Sequence, residues 1–324
     1  MPPPAYHIIG VVLSLAHATL QDGTPLDIRG PAPFAAEDLR SLQGSMFQLP
    51  CGDPWILAEP TQAHAYLEGA REGWSDHPEW MDFLDTTSPI SDLKSAERDL
   101  YLHWWKPWLG AQRVLDVACG IGRFTHPFLD RGATVIGVDA DLKSLRRCAW
   151  HAAGRPGKID LHWSSVHALP SQFDFDLAIA AEVMCYVPEV DRALQEIYKR
   201  LRPGGTLLIS MEARWGWAAS QDAPAGAIEV ALDGEGIVDV PGERWVQTYT
   251  EDRFREVLTA NGFEVALMTP ALYVLDGPLE DVGLGSASLE QLLDIEERCR
   301  VHPVWKNLNR AWIAAAVKPE ESPE

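Results

Sequence analysis

Basic residues are scarce in this chain: 27 Lys and Arg stand against 47 Asp and Glu, a formal net charge of -20. Such a surface repels phosphate backbones and anionic lipid over most of the molecule, which argues against nucleic acid and membranes as partners. The longest basic run, Lys143 to Arg147, reads as the solvated face of a helix. Cysteine is scarce as well. Cys51, Cys119, Cys148, Cys185 and Cys299 are far apart, odd in number and form no CxxC pair, which points to neither a disulfide framework nor a zinc site and fits a reducing, cytoplasmic setting. No HxxxH or carboxylate spacing argues for another metal, so none is expected. A long apolar run is missing too: the stretch Tyr6 to Leu20 is broken by His7 and His17, and the first basic side chain is Arg29. It has neither the charged start of a signal peptide nor the length of a membrane span, and reads as a buried strand or helix.

What the chain does have is apolar material, 46% of 324 residues, enough for one large core or a core with a smaller appended domain. From about residue 110 apolar strands alternate with amphipathic helices, the mark of parallel βαβ units. Strands are predicted at Arg113 to Ala118, Thr134 to Asp139, Asp160 to Ser164, Asp176 to Ala181, Gly205 to Met211, Phe263 to Thr269 and Arg310 to Val317. Helices are predicted at Arg123 to Arg131, Leu142 to His151, Val190 to Leu201, Glu251 to Ala260 and Leu289 to Arg300. Thr250 stands at the N-cap of the helix that Asn261-Gly262 ends. Between Trp215 and Gly242 a Gly/Pro/Ala-rich stretch carries short alternating segments, Ile228 to Leu232 and Gly236 to Val240, and reads as an inserted hairpin or lid. Ahead of the repeat, Ser91 to Leu109 reads as one long helix, with further helices at Ala36 to Leu42 and Thr61 to Glu72. The domain reading is a cap or substrate region over 1-95, a catalytic domain over 96-318 with an insertion at 215-245, and a tail at 319-324.

The segment Val114-Leu115-Asp116-Val117-Ala118-Cys119-Gly120-Ile121-Gly122-Arg123 is a strand that ends in a glycine turn and opens a helix. Such a turn lets a ligand approach the backbone and presents amides at a helix N-terminus. A dinucleotide fingerprint wants a third glycine three residues after the second, where this chain has Thr125. Asp139 sits at the next strand tip, where a carboxylate can accept from both ribose hydroxyls. The loop Ser164 to Pro170 follows the third strand, positioned to cover an adenine.

DVACGIGR, VIGVDAD, SSVHALP, DLAIAAEVMCYV and LRPGGTLLISM, in that order, resemble the five successive motifs of the class I S-adenosylmethionine-dependent methyltransferases, over roughly residues 95 to 318. The resemblance implies an α/β fold, a doubly wound Rossmann-like, seven-stranded, mostly parallel sheet, and S-adenosylmethionine as cofactor with S-adenosylhomocysteine as product. It further implies that Asp116, Ala118, Gly120 and Gly122 surround the methionine part, that Asp139 holds the ribose and Ala140 lies beside the adenine, and that Glu182 lies near the methionine end. Where the family often has an acidic residue to accept from the adenine amine, this chain has Ser165; Val166 can still offer its backbone amide.

Methyl transfer from a sulfonium needs a nucleophile held in line, water excluded and sometimes a base. The family places its acceptor pocket on the segments that here hold Met184, Cys185 and Tyr186, then Glu212, Arg214, Trp215 and Trp217, with Tyr101 or Trp105 from the Trp-rich helix. Tyr186 and His126 are the candidate catalytic residues, with His167 as a further candidate base. Thirteen tryptophans in an acidic protein raise the hypothesis that aromatic faces and carboxylates bind a cationic amine or a large planar substrate. The expected acceptor is an amine or hydroxyl on a small molecule or peptide natural product, with a homodimer left open. The alternatives are a non-catalytic binding or regulatory subunit on the same fold, an NAD(P)-dependent oxidoreductase and, third, RNA modification.

Overall fold

The computed structural model describes residues 90–320, apart from short gaps at 140–141, 153, 164–165, 171–173, 188, 221–222, 235, 240–244 and 280–286, together with residues 83, 84, 86 and 88 and four short strands nearer the start. Those strands are β1 (His17–Thr19), β2 (Pro25–Arg29), β3 (Met46–Gln48) and β4 (Pro54–Ile56). The helices predicted at 36–42 and 61–72 lie outside the described residues, as does most of the apolar run from Tyr6.

Apolar runs without polar alternation become strands buried on both faces of a parallel sheet. They are β5 (Arg113–Val117), β6 (Thr134–Asp139), β7 (Lys158–Trp163), β8 (Phe175–Ala180) and β9 (Leu201–Ala213). Two more, β12 (Glu264–Ala271) and β13 (Ala311–Val317), complete the centre in the order β7-β6-β5-β8-β9-β13-β12. β13 alone runs opposite to the other six strands. This is the predicted seven-stranded sheet. It is extended at one edge by β2, which pairs in parallel with β7 through Ile28 and Leu161. Near its other end the hairpin of β10 (Ile237–Asp239) and β11 (Trp245–Tyr249) adds to it, with β11 lying beside the tip of β9 past the end of β8.

Successive side chains of β5 enter opposite cores, Leu115 and Val117 on one face and Val114 on the other. The first face is covered by α4 (Val190–Arg200) and α7 (Glu251–Ala260), the second by α1 (Ser91–Trp104), α2 (Thr125–Leu129) and α8 (Leu289–Val301). Between α2 and α4 comes α3 (Leu142–Ala152). Thr250 caps α7 by accepting from the Arg253 amide, as predicted. The boundary drawn at residue 95 falls inside α1, which packs into the second core through Leu100, Tyr101 and Trp105. Trp105 is fully buried and its indole N–H donates to the Ala314 carbonyl at 3.2 Å, so it is a core residue rather than part of an acceptor pocket.

The insertion keeps part of its predicted form, since the segment Gly236 to Val240 holds β10 of a hairpin, but its first segment is not a strand. Ile228 to Leu232 is not a strand but part of α6 (Ala227–Leu232), which follows the short helix α5 (Arg214–Ala218). Only Ala227 and Ala231 of α6 are buried, four apart on one helix face, while Ile228 and Leu232 point to solvent.

Candidate active site

The sheet grows from β5 outward to β7 and then returns to place β8 on the other side of β5. Ligands of open α/β sheets bind at such a reversal, beyond the carboxyl ends of the strands. Here the tips of β5, β6, β8 and β9 border a cavity of about 240 Å³.

One part of its wall is made largely by backbone. Ala118 (φ 57°) and Gly120 (φ 55°) both turn left-handed straight after β5, and Glu182 (φ 55°) does so after β8. For a residue with a Cβ this conformation costs about 1 kcal/mol or more and persists where the surroundings impose it, often at functional sites. The Cys119 amide is tied to the Val138 carbonyl at 3.0 Å, and the Gly120 amide donates to Asp139 Oδ2 at 2.7 Å. Ala118, Gly120, Asp139, Val166 and Glu182 all border the cavity. Ala140 and Ser165 lie outside the described residues.

Asp116 and Gly122 do not border the cavity. Asp116 lies beneath the loop, 2% exposed, where its carboxylate accepts from the Thr125 hydroxyl; burial pushes its pKa up to about 7. It braces the turn instead of facing a ligand. Thr125, where a dinucleotide site has its third glycine, is used up in that brace. Gly122 (φ 99°) is required by packing, since a Cβ there would sit 2.3 Å from the His126 ring.

His126 is likewise displaced from its predicted role. It is buried under the loop, near the Cys148 carbonyl, and borders a separate depression; burial, with Arg155 nearby, drives its pKa down to about 3. His167 and Met184 are buried outside the cavity wall, Trp217 belongs to the core, and Trp215 is 40% exposed. No tryptophan lines the cavity among the described residues; its aromatic faces are Phe83, Tyr101, Phe124 and Tyr186. The described part of the insertion after Ala213 contributes no side chain to the wall.

The remaining wall is made of charge. Glu182 pairs with Arg123, and Arg123 pairs with Glu97 at 2.9 Å. Glu97 in turn pairs with Lys94 at 2.9 Å. Lys94 reaches Asp276 at 3.3 Å, Arg310 approaches Asp276 at 3.8 Å, and Arg310 pairs with Glu212 at 2.5 Å. Seven side chains from six separate segments thus form one continuous relay. Burial opposes the charge on Lys94 and Arg310, but the surrounding carboxylates outweigh it and hold both firmly protonated. Burial raises Glu212 above the usual carboxylate range, although Arg310 pulls it down. Asp276 goes the other way: Lys94 and Arg310 outweigh burial and hold it low.

Tyr101 also borders the cavity. This side chain is fully buried, its ring held by Trp105 and Phe124 at 5.1 and 5.2 Å and its hydroxyl set against Ser210. Ser210 Oγ, beside it, accepts from the Glu182 amide at 2.8 Å. Tyr186 borders the cavity and feels the charge of Arg310. Of the residues singled out in the sequence, the cavity brings together Ala118, Gly120, Asp139, Val166, Glu182, Cys185, Tyr186, Glu212 and Tyr101. Lys94, Arg123, Asp276 and Arg310 went unnoticed; Arg123 alone carried a signal, as the last residue of the turn motif.

The donor set fits an adenosine bearing an amino acid better than a pyrophosphate. A strand-tip carboxylate is placed for ribose hydroxyls, loop amides are close by, and Arg123, the cation next to the glycine turn, is committed to Glu97 and Glu182. Among the described residues no group of His, Cys, Asp or Glu is arranged to hold a metal ion, and no helix is long and apolar enough to cross a membrane.

Residues 115–209 match the methyltransferase domain family. The chain is 28% identical over 209 residues to the mitochondrial ubiquinone biosynthesis O-methyltransferase of Mus musculus, covering 60% of this chain and 55% of the relative. It is 33% identical over 165 residues to the ubiquinone biosynthesis O-methyltransferase of Bradyrhizobium diazoefficiens, covering 51% of this chain and 63% of the relative. The chain thus spans about half the length of the curated relatives it matches. Among solved structures, an S-adenosylmethionine-dependent methyltransferase from Mesorhizobium loti superposes with a TM-score of 0.48 at 21% identity, covering 68% of this chain and 97% of that one. Magnesium protoporphyrin IX methyltransferase from Synechocystis, with bound S-adenosylhomocysteine, gives 0.48 at 15% identity over 74% and 92%.

Proposed function

We propose, for a chain whose residues 115–209 form a class I S-adenosylmethionine-dependent methyltransferase domain, that the protein transfers the sulfonium methyl of S-adenosylmethionine to an oxygen or nitrogen of a small acceptor molecule. The observation that carries this reading is a single cavity shared by the strand-tip elements of the domain, Ala118, Gly120, Asp139 and Glu182, and by polar side chains from beyond it, Tyr101, Asp276 and Arg310. Asp139 would hold the ribose hydroxyls, with the backbone around Ala118 and Gly120 and the Glu182 carboxylate at the methionine end. Bound S-adenosylmethionine supplies an electrophilic methyl: the new bond to the acceptor forms as carbon–sulfur breaks, the electron pair staying on sulfur to leave S-adenosylhomocysteine.

The chain's own part is to bind, orient and exclude water. Phe83, Phe124 and Val183 supply apolar wall, and Tyr186 is placed to orient the acceptor from the Arg310 side. A small molecule or peptide natural product is the substrate class we favour, in a cytoplasmic setting. The curated relatives are named for ubiquinone biosynthesis, and their matched share leaves the acceptor open.

Turnover tests this reading. The full chain, given methyl-labelled S-adenosylmethionine and a panel of small phenols, alcohols and amines, is expected to form S-adenosylhomocysteine with label on the acceptor, and Tyr186→Phe to slow transfer with cofactor affinity kept. Tight cofactor binding without transfer to any member of a broad panel would favour a binding or regulatory subunit instead.

A further inference from the structure

The loop after β12 supplies Leu272 and Asp276 to the half of the cavity wall left to the acceptor. Both residues stand in the left-handed region, at φ 60° and 53°. Side-chain-bearing residues hold that conformation only where their surroundings impose it. On the cavity side the two ends of the loop are tied. The Arg310 amide donates to the Leu272 carbonyl at 2.9 Å, Arg310 Nη1 to the Asp276 carbonyl at 3.0 Å, and Lys94 to the Asp276 carboxylate at 3.3 Å.

The middle of the loop is held by a residue that does not border the cavity. Glu296, buried on α8, accepts the Tyr273 amide at 2.8 Å and the Val274 amide at 3.3 Å through one oxygen, and the Leu272 amide faces the same carboxylate. Three successive amides turned to one carboxylate form a nest of the kind that holds anions. Gly277 lets the chain fold back tightly there, since a Cβ would stand 2.5 Å from the Leu272 carbonyl oxygen and 2.8 Å from that of Tyr273. A buried carboxylate is costly, and each one in the charge relay offsets the cost with a cation. Glu296 has no cation partner among the described residues. Backbone amides stabilise its charge, and burial raises its pKa to about 7. An apolar side chain would fill that place on α8 without the cost, so the acid is there for the amides it orders.

We infer that Glu296 is a positioning residue for the acceptor: by ordering the backbone of residues 272–276 from behind, it sets where Leu272 and Asp276 meet the acceptor without touching it; the inference rests on the methyl-transfer reading above. The cofactor half of the wall has no part in this arrangement, because Ala118, Gly120 and Asp139 are placed by the tips of β5 and β6. Removing the Glu296 carboxylate therefore frees the loop and changes how the acceptor is held, while the cofactor keeps its own contacts.

Steady-state kinetics on the full chain at pH 8, where Glu296 is ionised, test it with S-adenosylmethionine and whichever of 4-ethylphenol, 2-phenylethanol and phenethylamine the parent methylates fastest. Glu296→Ala is expected to raise the acceptor KM by about tenfold or more and to leave the S-adenosylmethionine KM within about twofold. Glu296→Gln, which keeps an oxygen for the two amides, is expected to recover most of that loss. Hydrogen exchange should show the Tyr273 and Val274 amides losing protection in the Ala variant and keeping it in the Gln variant. Should the Ala variant not fold, Glu296→Asp, which withdraws the carboxylate by one methylene, is expected to show the same split between the two KM values in smaller measure. Two KM values that rise together, an acceptor KM that does not move, or a Gln variant as impaired as the Ala variant overturns the inference and leaves the methyl-transfer reading standing. A parent that methylates none of the three overturns the small-acceptor reading and this inference together.

Discussion

The two halves of the cavity are built in different ways. The half around Ala118, Gly120 and Asp139 is made of backbone turned at adjacent strand tips, with one carboxylate aimed by one amide. The half around Lys94, Glu97, Asp276 and Arg310 is made of long charged side chains that hold one another in place from distant segments. A backbone-built site tolerates change in side chains but not in conformation. A charge-built site tolerates conservative change in shape but not the loss of a partner. The first kind suits a ligand that is always the same, and the second can be retuned for a new acceptor without disturbing the first.

The strongest way to break this contrast is at Glu97, which is fully buried between Lys94 and Arg123. Glu97→Ala removes the carboxylate shared by two buried cations, leaving Arg123 to Glu182 and Lys94 to Asp276 alone, and the unfolding free energy is expected to fall by about 3 kcal/mol in a urea titration. Glu97→Gln should lose distinctly less. An Ala variant within about 1 kcal/mol of the parent would show that the relay is not a structural unit.

Next in size is Gly122→Ala. The left-handed φ of 99° and the His126 ring 2.3 Å from the new methyl both oppose it, for an expected loss of about 1–3 kcal/mol with weaker S-adenosylhomocysteine binding, because the turn carrying Gly120 must shift. A variant with unchanged affinity would separate the turn from the ligand.

Asp116 sharpens the comparison through pH. Burial raises its folded pKa to about 7, so between the ordinary carboxylate range and about pH 7 the folded protein holds a proton that the unfolded chain has released. This group's contribution to stability is complete in acid and is lost as pH rises through about 7, at up to about 1.4 kcal/mol per pH unit. Asp116→Asn keeps an acceptor for Thr125 and removes the titration, so thermal melts of variant and parent should diverge in the variant's favour from about pH 4 to pH 7. Parallel melting curves would mean that Asp116 is ionised in its brace. The smallest effect is expected at His126, which stays neutral above about pH 3: His126→Gln should leave the pH profile of turnover unmoved, and a shifted limb would restore the histidine as a base.

The same contrast explains what was legible in the sequence. The backbone-built half is written contiguously, because a strand, a glycine turn and a strand-tip carboxylate follow one another in Val114 to Arg123 and Val135 to Asp139. Helix ends with a side-chain cap, such as Thr250, were equally readable. Asp116 was not: its residue type and position fit either a ligand contact or a brace, and only the Thr125 hydroxyl decides. His126 and Trp105 were misplaced for a related reason, since polarity and aromaticity do not say which side of a loop or sheet a side chain enters. In α6 the exposed Ile228 and Leu232 imitated a strand while two small alanines did the packing. The charge-built half could not be read at all, because Lys94, Asp276 and Arg310 meet only once α1, the loop after β12 and the start of β13 converge.

The account stands or falls on the ligand of the backbone-built half. Titration of the full chain with S-adenosylhomocysteine, and separately with NAD and NADP, tests it most directly, with Asp139→Ala as control. The expected result is one-to-one binding of S-adenosylhomocysteine alone, weakened by at least about tenfold when the Asp139 carboxylate is removed; a preference for a nicotinamide cofactor, or binding indifferent to Asp139, would contradict it.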